Sequence, residues 1–185
     1  MPSSYKITDN NALYFITFTV VNWIDVFTRD IFRDIFYESV NFCIRKKGLQ
    51  IHAYCIMTNH IHLIASTNKN SLSDIVRDLK AYTSRQIRLC LEKTTVESRK
   101  KWMMNTFIFR GTYNVNNYDF QFWEKGYHPV ILNTNFKIDQ RLEYIHNNPV
   151  KQGLVLLPQH WLHSSATFYN EENAFTFIPL IRIER

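Results

Sequence analysis

Leu49-Gln50-Ile51-His52-Ala53-Tyr54-Cys55-Ile56-Met57-Thr58-Asn59-His60-Ile61-His62-Leu63-Ile64-Ala65-Ser66 is the stretch that decides how this chain folds. Two strand-like runs, Leu49 to Met57 and His60 to Ser66, are separated only by Thr58-Asn59. So short a connection makes either an antiparallel hairpin or a bulged, nearly continuous pair, and either way both runs enter one sheet. In the second run the side-chain period of two sends His60 and His62 to one face and Ile61 and Leu63 to the other.

Upstream, Ile31, Phe32, Ile35, Phe36, Ser39, Phe42 and Cys43 recur at helical spacing. Thr28 is placed to cap that helix, Arg45, Lys46 and Lys47 complement its carbonyl end, and Gly48 stops it. Before it, residues 13 to 21 are β-branched and aromatic, with Thr17 and Thr19 on one alternating face, and read as the first strand. Downstream, Ser71 with Asp74 resembles a capping box that opens a second helix through about Cys90, with Leu72, Ile75, Val76, Leu79, Thr83 and Ile87 inward. Arg77, Lys80, Ser84 and Arg88 lie on its other side, a basic stripe that is ordinarily a solvated face but beside a DNA site follows phosphates. Residues 93 to 118 carry no clear period and read as a connector with local structure. After Phe122-Trp123 and the apolar run Val130-Ile131-Leu132, Asn133 or Asn135 caps a third helix with Leu142 and Ile145 inward, ending near Pro149.

That order predicts an α+β chain, a ferredoxin-like split βαβ sandwich whose antiparallel sheet carries its helices on one face. The length fits one domain over residues 1–185, with a core over about 13–169 and a C-terminal tail over 170–185. Twenty-two Lys plus Arg against 16 Asp plus Glu leave a net charge of +6, which mildly favours polyanionic partners, and an aromatic share of 15% supplies faces on which bases can stack. Cys43, Cys55 and Cys90 are odd in number and widely spaced, so they read as reduced thiols rather than as disulfides or a zinc site. The N-terminus lacks the apolar run of a signal peptide and no stretch approaches roughly 18 apolar residues, which predicts a cytoplasmic protein without membrane attachment.

Two segments carry chemistry. His60 and His62, projected side by side, make half of a metal site, although a His-x-His taken alone is more often two polar residues on a wet sheet face. In Glu143-Tyr144-Ile145-His146-Asn147-Asn148-Pro149-Val150-Lys151, Tyr144 and Asn148 are four apart and share a helix face, while His146 points elsewhere. Taken alone, Tyr144 packs its ring on the sheet and Asn148 caps the helix end, where Pro149 biases it away from helical backbone.

Together, Met57-Thr58-Asn59-His60-Ile61-His62-Leu63-Ile64 and Tyr144-Ile145-His146-Asn147-Asn148-Pro149-Val150-Lys151 resemble the HUH single-tyrosine transposases. The likeness is to the IS200-like, REP-associated tyrosine transposase branch, with Thr58 where the family pattern has proline. Phe122-Trp123, His128-Pro129, Trp161, Ser164-Ser165-Ala166 and Tyr169 look like further landmarks of that family.

The resemblance implies an HUH endonuclease fold in which His60, His62 and Asn148 hold a divalent ion, Mg²⁺ or Mn²⁺. It implies that Tyr144 attacks single-stranded DNA, at hairpin or palindromic sites, to form a 5′-phosphotyrosine. Lys151, with Arg77, Lys80 and Arg88, is placed on phosphates, while His128 stays outside the ligand set. The same fold without mobility, as a host-retained noncatalytic module for hairpin DNA or RNA, is the alternative. Monomer and homodimer both remain open.

Overall fold

A computed structural model describes residues 7, 9–10, 12–113, 119–170 and 174–183. Four antiparallel strands run in the order β2-β3-β1-β4: β1 (Tyr14–Thr19), β2 (Leu49–Ile56), β3 (His60–Thr67) and the short β4 (Val130–Ile131). Of the two arrangements the short connection allows, the β2–β3 pair is the antiparallel hairpin, closed by the Met57 N–H donating to the His60 carbonyl at 2.9 Å. Its register shifts between Ile51 and Ala53, so His52 is an extra residue. That bulge moves Ile51 and Tyr54 to the same side, whereas a regular strand would oppose them.

Helices α1 (Asp30–Lys47) and α2 (Leu72–Lys93) cover one face, where Phe32, Phe36, Val40, Leu79 and Ile87 meet Ile16, Phe18, Ile61 and Leu63. Ser71 caps α2 by accepting the Asp74 N–H, as its sequence predicts. The helices are not confined to that face. Every residue of β3 is buried, a pattern that requires cover on both sides. The opposite cover is α4 (Asn135–Lys151), whose Ile138, Leu142 and Ile145 pack on Phe15, Ala53, Cys55, Met57 and Ile64.

Several local expectations change for identifiable reasons. Helix α1 begins at Asp30 rather than after Thr28, whose hydroxyl donates instead to the Asp25 carbonyl within a preceding 3-10 turn. Phe42 is 49% exposed, because the buried stripe of α1 runs through Tyr37, Ser39 and Val40 instead. The cap of α4 is Thr134, whose hydroxyl accepts the Lys137 N–H at 3.3 Å. The stretch read as a connector contains a 13-residue helix, α3 (Lys100–Thr112), anchored by Met103 and Phe107. Its outer face keeps Trp102 and Phe109 exposed, so apolar residues lie all round it and no period marks it. The end of the chain is also not a simple tail. Phe177 stacks on Tyr37 at 4.6 Å, Ile178 is fully buried and the Ile181 N–H donates to the Ile51 carbonyl. No described helix is long and apolar enough to cross a membrane.

Gly48 ends α1 with φ +76° and its N–H donating to the Cys43 carbonyl. A Cβ there would lie 2.5 Å from both Asn68 Oδ1 and Lys69 Cβ. Gly48→Ala is therefore expected to cost about 1–3 kcal/mol from backbone strain plus collision. A lower urea midpoint at constant slope checks this; an unchanged midpoint contradicts it.

His163 gives the fold an acid-sensitive point. Its Nδ1 lies 2.9 Å from the Tyr37 hydroxyl, between the rings of Trp161 and Phe177. Burial, then the nearby Arg33 charge, pushes it down to about 4. The unfolded chain therefore binds the proton first, so stability is held above about pH 6.5 and lost as pH falls through about 4. Allowing for partial solvent access, the loss is about 1–2 kcal/mol. Thermal melts at pH 7 and 4.5 should converge for His163→Gln relative to wild type, and equal pH slopes would refute the assignment.

Candidate active site

Strand β3 delivers His60 and His62 to the α4 face, with ring centroids 4.7 Å apart. Each ring is oriented through Nδ1. Asn59 Oδ1 lies 2.7 Å from His60 Nδ1, and because a carbonyl oxygen only accepts, that nitrogen carries the proton. Thr17, paired with His62 across β1–β3, places its hydroxyl 2.9 Å from His62 Nδ1. Phe15 stacks on His62 at 5.2 Å. Burial holds His60 down to about 4; burial, with the charges of His60 and Arg141, holds His62 at about 3. Both rings are thus neutral at physiological pH, with Nε2 as the lone-pair nitrogen.

Helix α4 brings the other half. Once Ile138, Leu142 and Ile145 are seated on the sheet, Tyr144 and Asn148 sit over the histidines. The Tyr144 ring lies edge-on to His62 at 5.2 Å and to Phe15 at 5.9 Å. Asn148 Nδ2 donates to His62 Nε2 at 3.2 Å. Asn148 keeps this position because α4 continues through Pro149 to Lys151, contrary to the expected stop. Pro149 lies in the last turn, where it interrupts little of the ladder. Beyond it the Leu154 N–H donates to the Pro149 carbonyl and Gly153, at φ +70°, turns the chain. His146 points away as expected, its Nε2 2.9 Å from Ser165 Oγ.

These groups line a cavity of about 350 Å³. Trp23, 61% exposed, stands at its lip against His60, and His128 lines it too, at φ +41°. Sequence reasoning passed over three members. Trp23 carried no motif. Gln152, four residues after Asn148, donates to its Oδ1 at 3.4 Å. Arg141, one turn before Tyr144, was legible only from its i,i+3 spacing; its guanidinium lies 4.9 Å from the Phe15 centroid and 5.9 Å from that of Tyr144.

The residues fit a divalent metal. Among the described residues no three His, Cys, Asp or Glu side chains cluster. The donor set is instead two imidazole Nε2 atoms and the Asn148 amide, which supplies an oxygen if its Oδ1 and Nδ2 exchange places. Two nitrogens and an oxygen, with each imidazole steadied through its other nitrogen, suit Mn²⁺ or Mg²⁺.

Of the four basic residues placed on phosphates, Lys151 alone lies beside Tyr144, its Nζ 5.8 Å from that ring. The other three sit on α2, across the sheet from the histidines. Arg77 pairs with Asp74 and Asp78, and Arg88 with Glu92 and Asp119. Lys80 is folded inward, donating to the Glu124 and Gly126 carbonyls. The stripe is largely neutralised by its own neighbours, and Lys80 steadies the loop leading to His128.

The four-stranded antiparallel sheet, with a His-x-His strand facing a tyrosine-bearing helix, defines an α+β protein. Residues 9–121 match the family model described as "Transposase IS200 like", and the chain belongs to that family. This match includes both histidines and ends before Tyr144. The fold is similar to that of a solved REP-associated tyrosine transposase bound to a REP hairpin, with a TM-score of 0.69 at 13% identity over 100% of this chain and 94% of that one. A second solved structure, provisionally described as a transposase of Deinococcus radiodurans R1, is more distant, with a TM-score of 0.43 at 16% identity over 77% and 94% of the two chains. No curated protein sequence matches the chain.

Proposed function

We propose that this IS200-like transposase cleaves and rejoins single-stranded DNA through a covalent bond to Tyr144, assisted by a divalent metal on His60, His62 and Asn148. The observation that carries the reading is the meeting of Tyr144, Asn148 and His62 from two distant segments in one cavity, with Asn148 Nδ2 3.2 Å from His62 Nε2.

In this reading Tyr144 Oη bonds to the scissile phosphorus as the bond to the 3′-oxygen breaks. The phenol proton goes to solvent and the departing oxygen takes one, leaving a 5′-phosphotyrosine and a 3′-hydroxyl. Because the ester conserves the bond, another 3′-hydroxyl reverses the step and joins a new partner strand. When bound, Mg²⁺ or Mn²⁺ supplies Lewis-acid stabilisation of the phosphate charge. The protein's share is positional: Thr17 and Asn59 hold the imidazoles, and Phe15 and His62 hold the tyrosine ring.

Hairpin DNA is the proposed substrate, supported by the hairpin bound to the similarly folded transposase. The test is a denaturing gel for a covalent adduct with hairpin oligonucleotides from the gene's flanks, with and without Mn²⁺. A metal-dependent adduct supports the reading. Tight binding without an adduct across a broad panel overturns it in favour of a noncatalytic hairpin-binding module.

A further inference from the structure

Most arginines of this fold that form ion pairs do so with a definite acid. Arg33 meets Asp30, Arg88 meets Asp119, Arg99 meets Asp25 and Glu97, and Arg110 meets Glu124. Arg141 differs. Among the described residues no carboxylate and no hydrogen-bond acceptor engages it, although it is partly buried and lines the active-site cavity. It is held instead by aromatic faces, 4.9 Å from Phe15 and 5.9 Å from Tyr144. The Phe15 side chain is itself fixed, stacked on His62 and buried against α4.

Such an arrangement orients a guanidinium without using its N–H donors. An unpaired cation in a partly closed cavity lowers the stability of the empty site through desolvation and is repaid when an anion enters. The anion required here lies where Tyr144 attacks. As its Oη approaches phosphorus, negative charge concentrates on the two non-bridging oxygens, a pair whose spacing suits a guanidinium fork.

We propose that Arg141 is a catalytic residue that grips the non-bridging oxygens of the scissile phosphodiester during attack by Tyr144. This rests on the phosphotyrosine reading above and adds to it a substrate contact independent of the metal ligands. Arg141 donates to the phosphate and exchanges no proton, so the balance of the cleavage step is unchanged. Lys151, a point charge near the same ring, cannot replace a two-pronged contact.

The experiment compares wild type, Arg141→Met and Arg141→Lys on hairpin oligonucleotides carrying either a natural scissile diester or a methylphosphonate, in which a methyl group replaces one charged non-bridging oxygen. Methionine keeps the aliphatic packing on Phe15, and melting curves check that each variant folds. On the diester, Arg141→Met is expected to slow adduct formation about 100-fold at saturating DNA, with affinity changed less than about threefold, and Arg141→Lys to recover only a minor part. On the methylphosphonate the difference between wild type and Arg141→Met should shrink below about threefold, since the fork then has no charged oxygen pair to hold. A Met variant as fast as wild type on the diester overturns the assignment, as does an equal deficit on both linkages, which would mark a purely structural role. Those outcomes leave the phosphotyrosine reading intact. A wild-type protein that forms no adduct on any diester overturns both.

Discussion

Tyr144→Phe is expected to abolish covalent adduct formation, a loss of at least about 10⁴-fold, while hairpin binding stays within about threefold of wild type. The substitution removes one oxygen atom and leaves the ring. Ring contacts to His62 and Phe15 place the side chain, and no described residue hydrogen-bonds its hydroxyl. Deleting that hydroxyl therefore breaks nothing in the fold, and the melting temperature should shift by no more than about 0.5 kcal/mol implies. A denaturing gel reads the adduct and a native gel reads binding on the same samples. An adduct that persists in the Phe variant would assign the nucleophile to another residue. Two other tyrosines near the sheet are poor substitutes: burial raises the phenol pKa of both Tyr37 and Tyr54, which opposes phenolate formation.

His62→Ala should be nearly as damaging, for a different reason. Its Nε2 is shared with Asn148 and its Nδ1 with Thr17, so the imidazole is the joint between β3, β1 and α4. Removing it deletes a proposed ligand and one of the contacts that hold Asn148. Mn²⁺ affinity measured by calorimetry is expected to fall by about 100-fold or more, and adduct formation with it. Thr17→Val leaves the imidazole in place but frees its orientation, and should weaken Mn²⁺ by about tenfold. Stability is expected to fall by about 1–3 kcal/mol in the Ala variant, since a buried, stacked, doubly hydrogen-bonded ring is lost. Unchanged Mn²⁺ binding in His62→Ala would place the ion elsewhere.

Local patterns read correctly wherever one physical rule dominated. The hairpin is legible because two alternating runs flank a two-residue turn, and α2 because Ser71 and a single apolar stripe start and orient it. Helix α3 is not, because Met103 and Phe107 face the core while Trp102 and Phe109 face outward, which erases its period. The basic residues of α2 were placed on phosphates by their spacing alone. Spacing shows a shared face but not the acids beside it, such as Asp119 next to Arg88 or Asp78 next to Arg77.

For the site the division is similar. A period of two put His60 and His62 side by side and a period of 3.6 put Tyr144 with Asn148, so both halves are properties of local sequence. That the halves face one another is a tertiary fact. It follows from the burial of both faces of β3, which draws α4 to the side opposite α1 and α2 and seats Ile138, Leu142 and Ile145 on Phe15 and Ile64. Arg141, Trp23 and Gln152 joined the cavity only through that packing. Their roles depend on distances between segments far apart in sequence, as His62 and Asn148 are at 86 residues, and hydrophobic periodicity, which reports only which way a side chain points within its own element, carries no information about what it meets there.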